Sequence, residues 1–262
     1  NISTKFRFRG ISAHAAGAPE RGRSALDGVE AMNHMVNLMR EHVPEATRMH
    51  YVTTYGGAAP NVVPDFTEVY HYVRHPDAAV VRELFERLVD TAEGAALGTE
   101  TQMEYEIING VYNLLPNVTL AQVIHANLTT VGGVEYTDEE MRFAEVIRES
   151  LPEDARPMSA ASEVKPFAAP TGERRGGGST DVGDVSWAVP PAGLRAATWV
   201  PGTSSPSWQA VAAGGTSIGT KGMLVAAKTI AMSAVDLFMN PDLIRQARAE
   251  FDEKRGPNYQ HI

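Results

Sequence analysis

Hydrophobic and polar positions recur at two different periods along the first hundred residues, and the switches between them mark out elements. Over residues 4–9, Phe6 and Phe8 alternate with Lys5, Arg7 and Arg9, the period-two pattern of a strand with one buried face. Ser24 then stands where a helix N-cap is expected, with Asp27 three residues on as a weak capping box. Leu26, Val29, Met32, Val36 and Met39 follow at helical spacing. Residues 50–55 and 68–75, rich in Tyr, Val and Thr, predict two strands joined through a Gly-Gly-Ala-Ala-Pro-Asn stretch and a turn at Pro64. Asp77 is placed to cap a second helix carrying Val81, Leu84, Phe85, Leu88, Ala92 and Ala95 on one face. Residues 101–108 alternate Met103, Tyr105 and Ile107 with Gln102, Glu104 and Glu106, a last strand. The order β-α-β-β-α-β is the split βαβ arrangement of ferredoxin-like domains, an α+β sandwich of two layers.

After Gly110 the pattern changes, which divides the chain into a domain over 1–110 and a second part over 111–262. Residues 120–128 and 139–151 read as helices. Residues 152–178 are rich in Pro, Gly, Ala and Ser without periodicity, and structureless stretches of that length are usually functional or disordered. Residues 192–200 predict a strand. Residues 222–239 predict a helix with Met223, Ala227, Ile230, Ala234 and Leu237 on one face and many small residues for close packing, and Asp242 is expected to cap a final amphipathic helix.

Composition narrows the class. The 262 residues are 43% apolar, enough for a sizeable core, and carry a net charge of −9, which argues against nucleic acid as the main partner. There are no cysteines, which excludes disulfides and thiolate metal sites. The most apolar region, residues 223–239, is broken by Lys228, Ser233 and Asp236, so no uninterrupted run reaches the roughly 20 residues that span a bilayer. With no signal peptide read, the default location is the cytoplasm.

Four places could carry chemistry. His14 sits among small residues in Gly10-Ile11-Ser12-Ala13-His14-Ala15-Ala16, directly after a strand; it could donate to a developing oxyanion or simply bond to its own loop. Asn61 is bracketed by Pro60 and Pro64; a rigid amide there suits carboxylate recognition, or forms an Asx turn. Arg74 ends a strand and offers a planar fork for a carboxylate, or is a plain surface arginine. Gly176-Gly177-Gly178-Ser179-Thr180-Asp181 could bring backbone N–H groups to an anion or serve as a linker, and it lacks the Gly-Lys-Ser/Thr ending of a nucleotide loop. The eight histidines are scattered, and no metal-ligand cluster is visible.

These places, in this order, resemble the amidohydrolases of the aminoacylase and glutamate carboxypeptidase type. The likeness is to the branch of p-aminobenzoyl-glutamate hydrolases and indole-acetyl-amino-acid hydrolases. It is carried by Ser12-Ala13-His14-Ala15-Ala16, Gly22-Arg23-Ser24-Ala25-Leu26-Asp27, Ala59-Pro60-Asn61-Val62-Val63-Pro64, Lys221-Gly222-Met223 and the string from Gly178 to Trp187. The resemblance implies a ferredoxin-like dimerisation lid followed by the C-terminal half of a zinc-peptidase-like α/β catalytic domain. It implies a homodimer, an N-acyl amino acid as substrate, and two divalent metals, zinc or manganese, that lower the pKa of bound water towards ~7. By the same resemblance His14 is catalytic, reaching the partner's active site. Asn61 and Arg74 hold the substrate carboxylate, and Gly178, Ser179 and Thr180 line the pocket.

Two departures qualify this. In the family most metal ligands precede the lid, and this chain opens on the lid strand without a methionine, so an N-terminal metal-binding part is expected to be missing. Pro206 also stands where the family supplies a late histidine ligand. The resemblance therefore implies that this chain alone binds no dinuclear centre and is inactive. The competing reading is a non-catalytic dimerising or ligand-binding relative.

Overall fold

The computed structural model describes residues 1–169 and 178–257. In it the period-two runs become β1 (Ile2–Arg9), β2 (Arg48–Tyr55), β3 (Phe66–Arg74) and β4 (Gln102–Gly110), an antiparallel sheet in the order β2-β3-β1-β4. Two helices, α1 (Ala25–Met39) and α2 (Ala78–Gly98), pack on one face, which completes the ferredoxin-like order read from the sequence. Phe6, Phe8, Val69 and Val73 from the sheet meet Val29, Met32 and Val36 of α1 and Leu84, Leu88 and Ala92 of α2. Each large side chain so buried contributes about 1.5–3 kcal/mol relative to exposure. Both helices start where capping residues stand. Ser24 Oγ accepts the Asp27 N–H at 3.2 Å, and Asp77 Oδ1 accepts the Ala79 N–H at 2.7 Å.

The other face of the sheet is polar. Lys5 and Arg7 donate to Glu68 at 2.9 and 2.8 Å, and Arg7 also reaches Glu106 at 2.6 Å. Burial alone would raise the Glu68 carboxyl; hydrogen bonds from Lys5, Arg7 and Thr54 outweigh it and bring the group down to about 2. One expected burial is missing. Met103 packs against the core and the Tyr105 ring lies against Phe6 and Phe85, but β4 is an edge strand and Tyr105 and Ile107 stay exposed.

Two compact units are present among the described residues: residues 1–114 with 178–187, and residues 115–169 with 188–257. The second unit contains α3 (Val118–Val131), α4 (Asp138–Arg148), α6 (Trp208–Gly214), α7 (Ser217–Met239) and α8 (Pro241–Arg255); α5 (Val182–Ala188) lies almost wholly in the first. Thr137 and Glu140 form a reciprocal capping box at the start of α4, and Lys221 Nζ donates to Glu140 at 2.6 Å. The Glu250 carboxylate of α8 accepts the Val118 and Thr119 N–H groups at 2.6 and 2.9 Å, satisfying free amides at the start of α3.

Four expectations for this half are corrected. Residues 192–200 form no strand, since no described strand of the second unit offers them a ladder. The face of α7 that turns inward is not the one picked by hydropathy. Ile218, Gly219, Gly222, Thr229 and Ser233 are buried, while Met223 and Ile230 are 57% and 55% exposed. The cap of α8 is Asn240 rather than Asp242, its Oδ1 accepting the Asp242 N–H at 3.2 Å. The helix read over residues 222–239 starts earlier, at Ser217, and runs 23 residues to Met239, long and apolar enough by length and composition alone to cross a bilayer.

Candidate functional site

The loop after β1 is stitched in place by backbone hydrogen bonds. Ile11 and Arg23 exchange two, Gly10 N–H donates to Asp65 O at 2.9 Å, and Val63 N–H donates to Ala13 O at 3.0 Å. Ala15 N–H reaches Asn61 O at 3.0 Å, so the His14 and Asn61 loops lie side by side as a short antiparallel bridge, His14 opposite Val62. Gly10 is required there, because a Cβ at that position would overlap the Arg23 carbonyl oxygen.

His14 is exposed and uses one nitrogen on its own loop. Its Nδ1 accepts the Ala16 and Gly17 N–H groups at 3.2 and 2.9 Å. Its Nε2 has no partner among the described residues. The two readings of this histidine, loop anchor and outward donor, therefore fall on different nitrogens of one ring. Asn61 is exposed too, and its side chain makes no Asx turn among the described residues. Its amide stands free on the surface next to His14.

Arg74 lies elsewhere. It ends β3, whose register with β1 sets Val73 opposite Ile2 and Phe66 opposite Arg9. The His14 and Asn61 loops extend from the Arg9–Phe66 end. Eight residue steps of β3 separate the ends by about 27 Å at ~3.4 Å per residue. Asn61 and Arg74, which the resemblance assigns to one carboxylate, are thus at opposite ends of the sheet within a single chain.

Around Arg74 a second small site is built. Its Nη2 donates to Ser179 Oγ at 3.1 Å, and the Asn1 side-chain amide donates to the same oxygen at 3.3 Å. The guanidinium lies 5.8 Å from the centre of the Tyr72 ring. Arg74 Nε is buried without a hydrogen-bond partner, and among the described residues Arg74 forms no ion pair. Ser179 is held through residues 183–187, just downstream. The Tyr112 N–H donates to Asp184 Oδ1 at 2.9 Å, Trp187 Nε1 donates to Asn113 O at 2.8 Å, and a Cβ on Gly183 would overlap the Tyr112 carbonyl. Gly178, Ser179 and Thr180 are exposed here, whereas Arg174, Arg175, Gly176 and Gly177 of the same run lie outside the described residues. Sequence reasoning missed Asn1 and Tyr72. For Tyr72 a signal existed, since a residue two before Arg74 in a strand shares its face.

No group of three His, Asp or Glu side chains converges as a metal site among the described residues. Their donor set does not fit a dinuclear centre. Pro206, in the loop before α6, offers no donor.

The chain is similar to several known proteins. The family model of the peptidase dimerisation domain matches residues 1–100. The chain is 38% identical to one subunit of the p-aminobenzoyl-glutamate hydrolase of Escherichia coli, over 97% of this chain and 57% of that protein. It is 27% identical to the Xaa-Arg dipeptidase of Mus musculus, over 94% of this chain and 50% of that protein. A crystal structure of an aminobenzoyl-glutamate utilization protein from Klebsiella pneumoniae superposes with a TM-score of 0.53 at 21% identity, covering 90% of this chain and 48% of that one, a likeness of fold. The resemblance read from the motifs therefore holds, and the chain spans about half the length of these relatives. His14, Asn61 and Arg74 all fall within the matched residues 1–100.

Proposed function

We propose that this chain provides the dimerisation domain and the substrate-carboxylate site of a metal-dependent amidohydrolase. Its substrate is an N-acyl or aryl amino acid such as p-aminobenzoyl-glutamate, and it acts in the cytoplasm as a homodimer. The observation that carries the reading is Arg74, a cation that forms no ion pair among the described residues. Ser179 Oγ already accepts from Arg74 and Asn1, which occupies both lone pairs and leaves its O–H free to donate. An incoming carboxylate meets the free guanidinium edge and that hydroxyl together.

The sheet geometry then divides the work. No N-acyl amino acid bridges the ~27 Å of β3. The Arg74–Ser179 pair and the His14–Asn61 pair therefore serve two different active sites of the dimer, each copy lending His14 and Asn61 to its partner. Arg74 holds the carboxylate, Gly178, Ser179 and Thr180 line the pocket, and His14 donates to the oxygen that gains charge as the amide is attacked. A zinc or manganese pair would supply the activated water, and no group of ligands for it converges among the described residues, which supports the reading that the chain alone would not complete the reaction. A second reading, a dimerising or ligand-binding relative that lost its metal site, is favoured by Pro206 standing where a ligand is expected.

Titration calorimetry with p-aminobenzoyl-glutamate tests the carboxylate site. Arg74→Ala should weaken binding by about 1.5–3 kcal/mol, the range for hydrogen bonds to charged groups. Equal affinity of the wild type and Arg74→Ala would count against the assignment. Elemental analysis separates the chain-alone statement: two stoichiometric metal ions together with amide cleavage would overturn it.

A further inference from the structure

We infer that the backbone amides of Ala16 and Gly17 select, for the imidazole of His14, the tautomer with its proton on Nε2, which makes Gly17 a positioning residue for the donor that His14 presents. The inference rests on the proposed function only for what that donor serves. A backbone N–H can only donate, and two of them converge on Nδ1, at 3.2 Å from Ala16 and 2.9 Å from Gly17. Nδ1 must then hold a lone pair. The other tautomer puts an N–H at Nδ1, facing two further N–H groups.

The turn enforces this approach. The Gly17 and Ala18 N–H groups also reach the His14 carbonyl oxygen, at 3.2 and 3.0 Å, so the chain closes on both the carbonyl and the ring of the same residue. A Cβ on Gly17 would sit 3.3 Å from Nδ1 and 3.4 Å from Cγ, tighter than an ordinary contact, so glycine lets the amide come up to the ring edge. The bonds to Asn61 O and from Val63 N–H hold the base of the loop. What remains outward is one N–H. It is already oriented, so it can stabilise a developing oxyanion without reorganising during the reaction. The same arrangement denies His14 two other roles. Its outward nitrogen carries a proton, so it is neither a general base nor a metal ligand.

The test is ¹⁵N NMR of the imidazole in the whole labelled chain near neutral pH. The expected result is a single tautomer with Nε2 protonated, and a coupling across the hydrogen bond between the Gly17 amide nitrogen and His14 Nδ1. A protonated Nδ1, or a ring without that coupling, overturns the inference. Gly17→Pro, which removes the shorter bond, should bring in the Nδ1–H tautomer as a measurable fraction; an unchanged ratio overturns the part given to Gly17. If that variant does not fold, His14→Asn decides. Its Oδ1 takes the place of Nδ1, so the Ala16 and Gly17 amides should keep their protection from hydrogen exchange, and loss of that protection overturns the inference. These readouts concern the ring alone. A complete enzyme that fails to cleave N-acyl amino acids sinks the proposed function and leaves the fixed tautomer standing.

Discussion

Acid should destabilise the first unit through one buried histidine. His71 on β3 is 1% exposed, its ring against Phe6 of β1 and Tyr51 of β2. Its Nε2 donates to Asn33 Oδ1 of α1 at 3.1 Å, which leaves Nδ1 bare, buried and without a partner. Protonation there would bury an unpaired N–H and a charge, with Arg40 of the same sign nearby. Burial first, and Arg40 second, push the imidazole down from 6.5 to about 4. The unfolded chain therefore binds more protons than the native one between those values, and stability falls as pH drops through that window. Integrated from pH 7.5 to pH 4.5, the two values give a loss of about 2.5 kcal/mol. This is a large part of the ~5–15 kcal/mol that holds a domain folded. The measurement is urea unfolding of the whole chain at both pH values, with the β1 and β3 peptides read by pulsed hydrogen exchange at one fixed labelling pH. His71→Gln, which keeps a donor for Asn33 and does not titrate, removes the linkage while leaving the carboxylates common to both proteins. The difference in stability between the two proteins should shrink by about 2.5 kcal/mol on going to pH 4.5. A difference that stays constant would refute the reasoning.

Further substitutions probe the frame. Gly10→Ala pushes a methyl into the Arg23 carbonyl and should destabilise the domain by about 1–3 kcal/mol in urea unfolding; an unchanged midpoint would mean that the strand-to-loop crossing is loose. Glu250→Ala frees the Val118 and Thr119 amides, and exchange at the start of α3 should quicken with a loss of about 0.5–2 kcal/mol, the range for a lost cap. Ser24→Ala should cost α1 about 1 kcal/mol by the same reasoning, read as a lower melting temperature.

The first unit was legible because its signals are local. Phe6 and Phe8 alternate with charges, Ser24 and Asp77 stand at helix starts, and the order of periods admits one common topology. The candidate residues could be picked out one by one but not as an arrangement. His14, Asn61 and Arg74 were each identifiable, yet their grouping depends on strand register, which places Phe66 opposite Arg9 and carries Arg74 to the far end. Sequence spacing alone sets Asn61 thirteen positions from Arg74 and forty-seven from His14. The bridge between Ala15 and Asn61 reverses that order of nearness. Antiparallel pairing does this generally: the ends of one strand lie far apart, while the loops that meet at one end come from distant sequence.

In the second unit hydropathy misled because close packing selects for size before polarity. A Cβ on Gly222 would lie 2.5 Å from the Ala197 carbonyl oxygen, so only glycine lets α7 approach residues 192–200 there. Further along the same face Thr229 and Ser233 are buried without loss, since their hydroxyls donate back to Val225 O and Thr229 O at 2.8 Å each. Ser233 Oγ also accepts from Asn127 of α3 at 3.2 Å, which turns a polar residue into a contact between helices. The inward stripe of α7 is therefore written in Gly219, Gly222, Thr229 and Ser233, and the residues with the largest apolar side chains, Met223, Ile230 and Phe238, turn outward. The run from 192 to 200, read as a strand, fails to form one for a different reason. Alternation records which faces of a segment can be buried, but a strand exists only where a second backbone completes its hydrogen bonds.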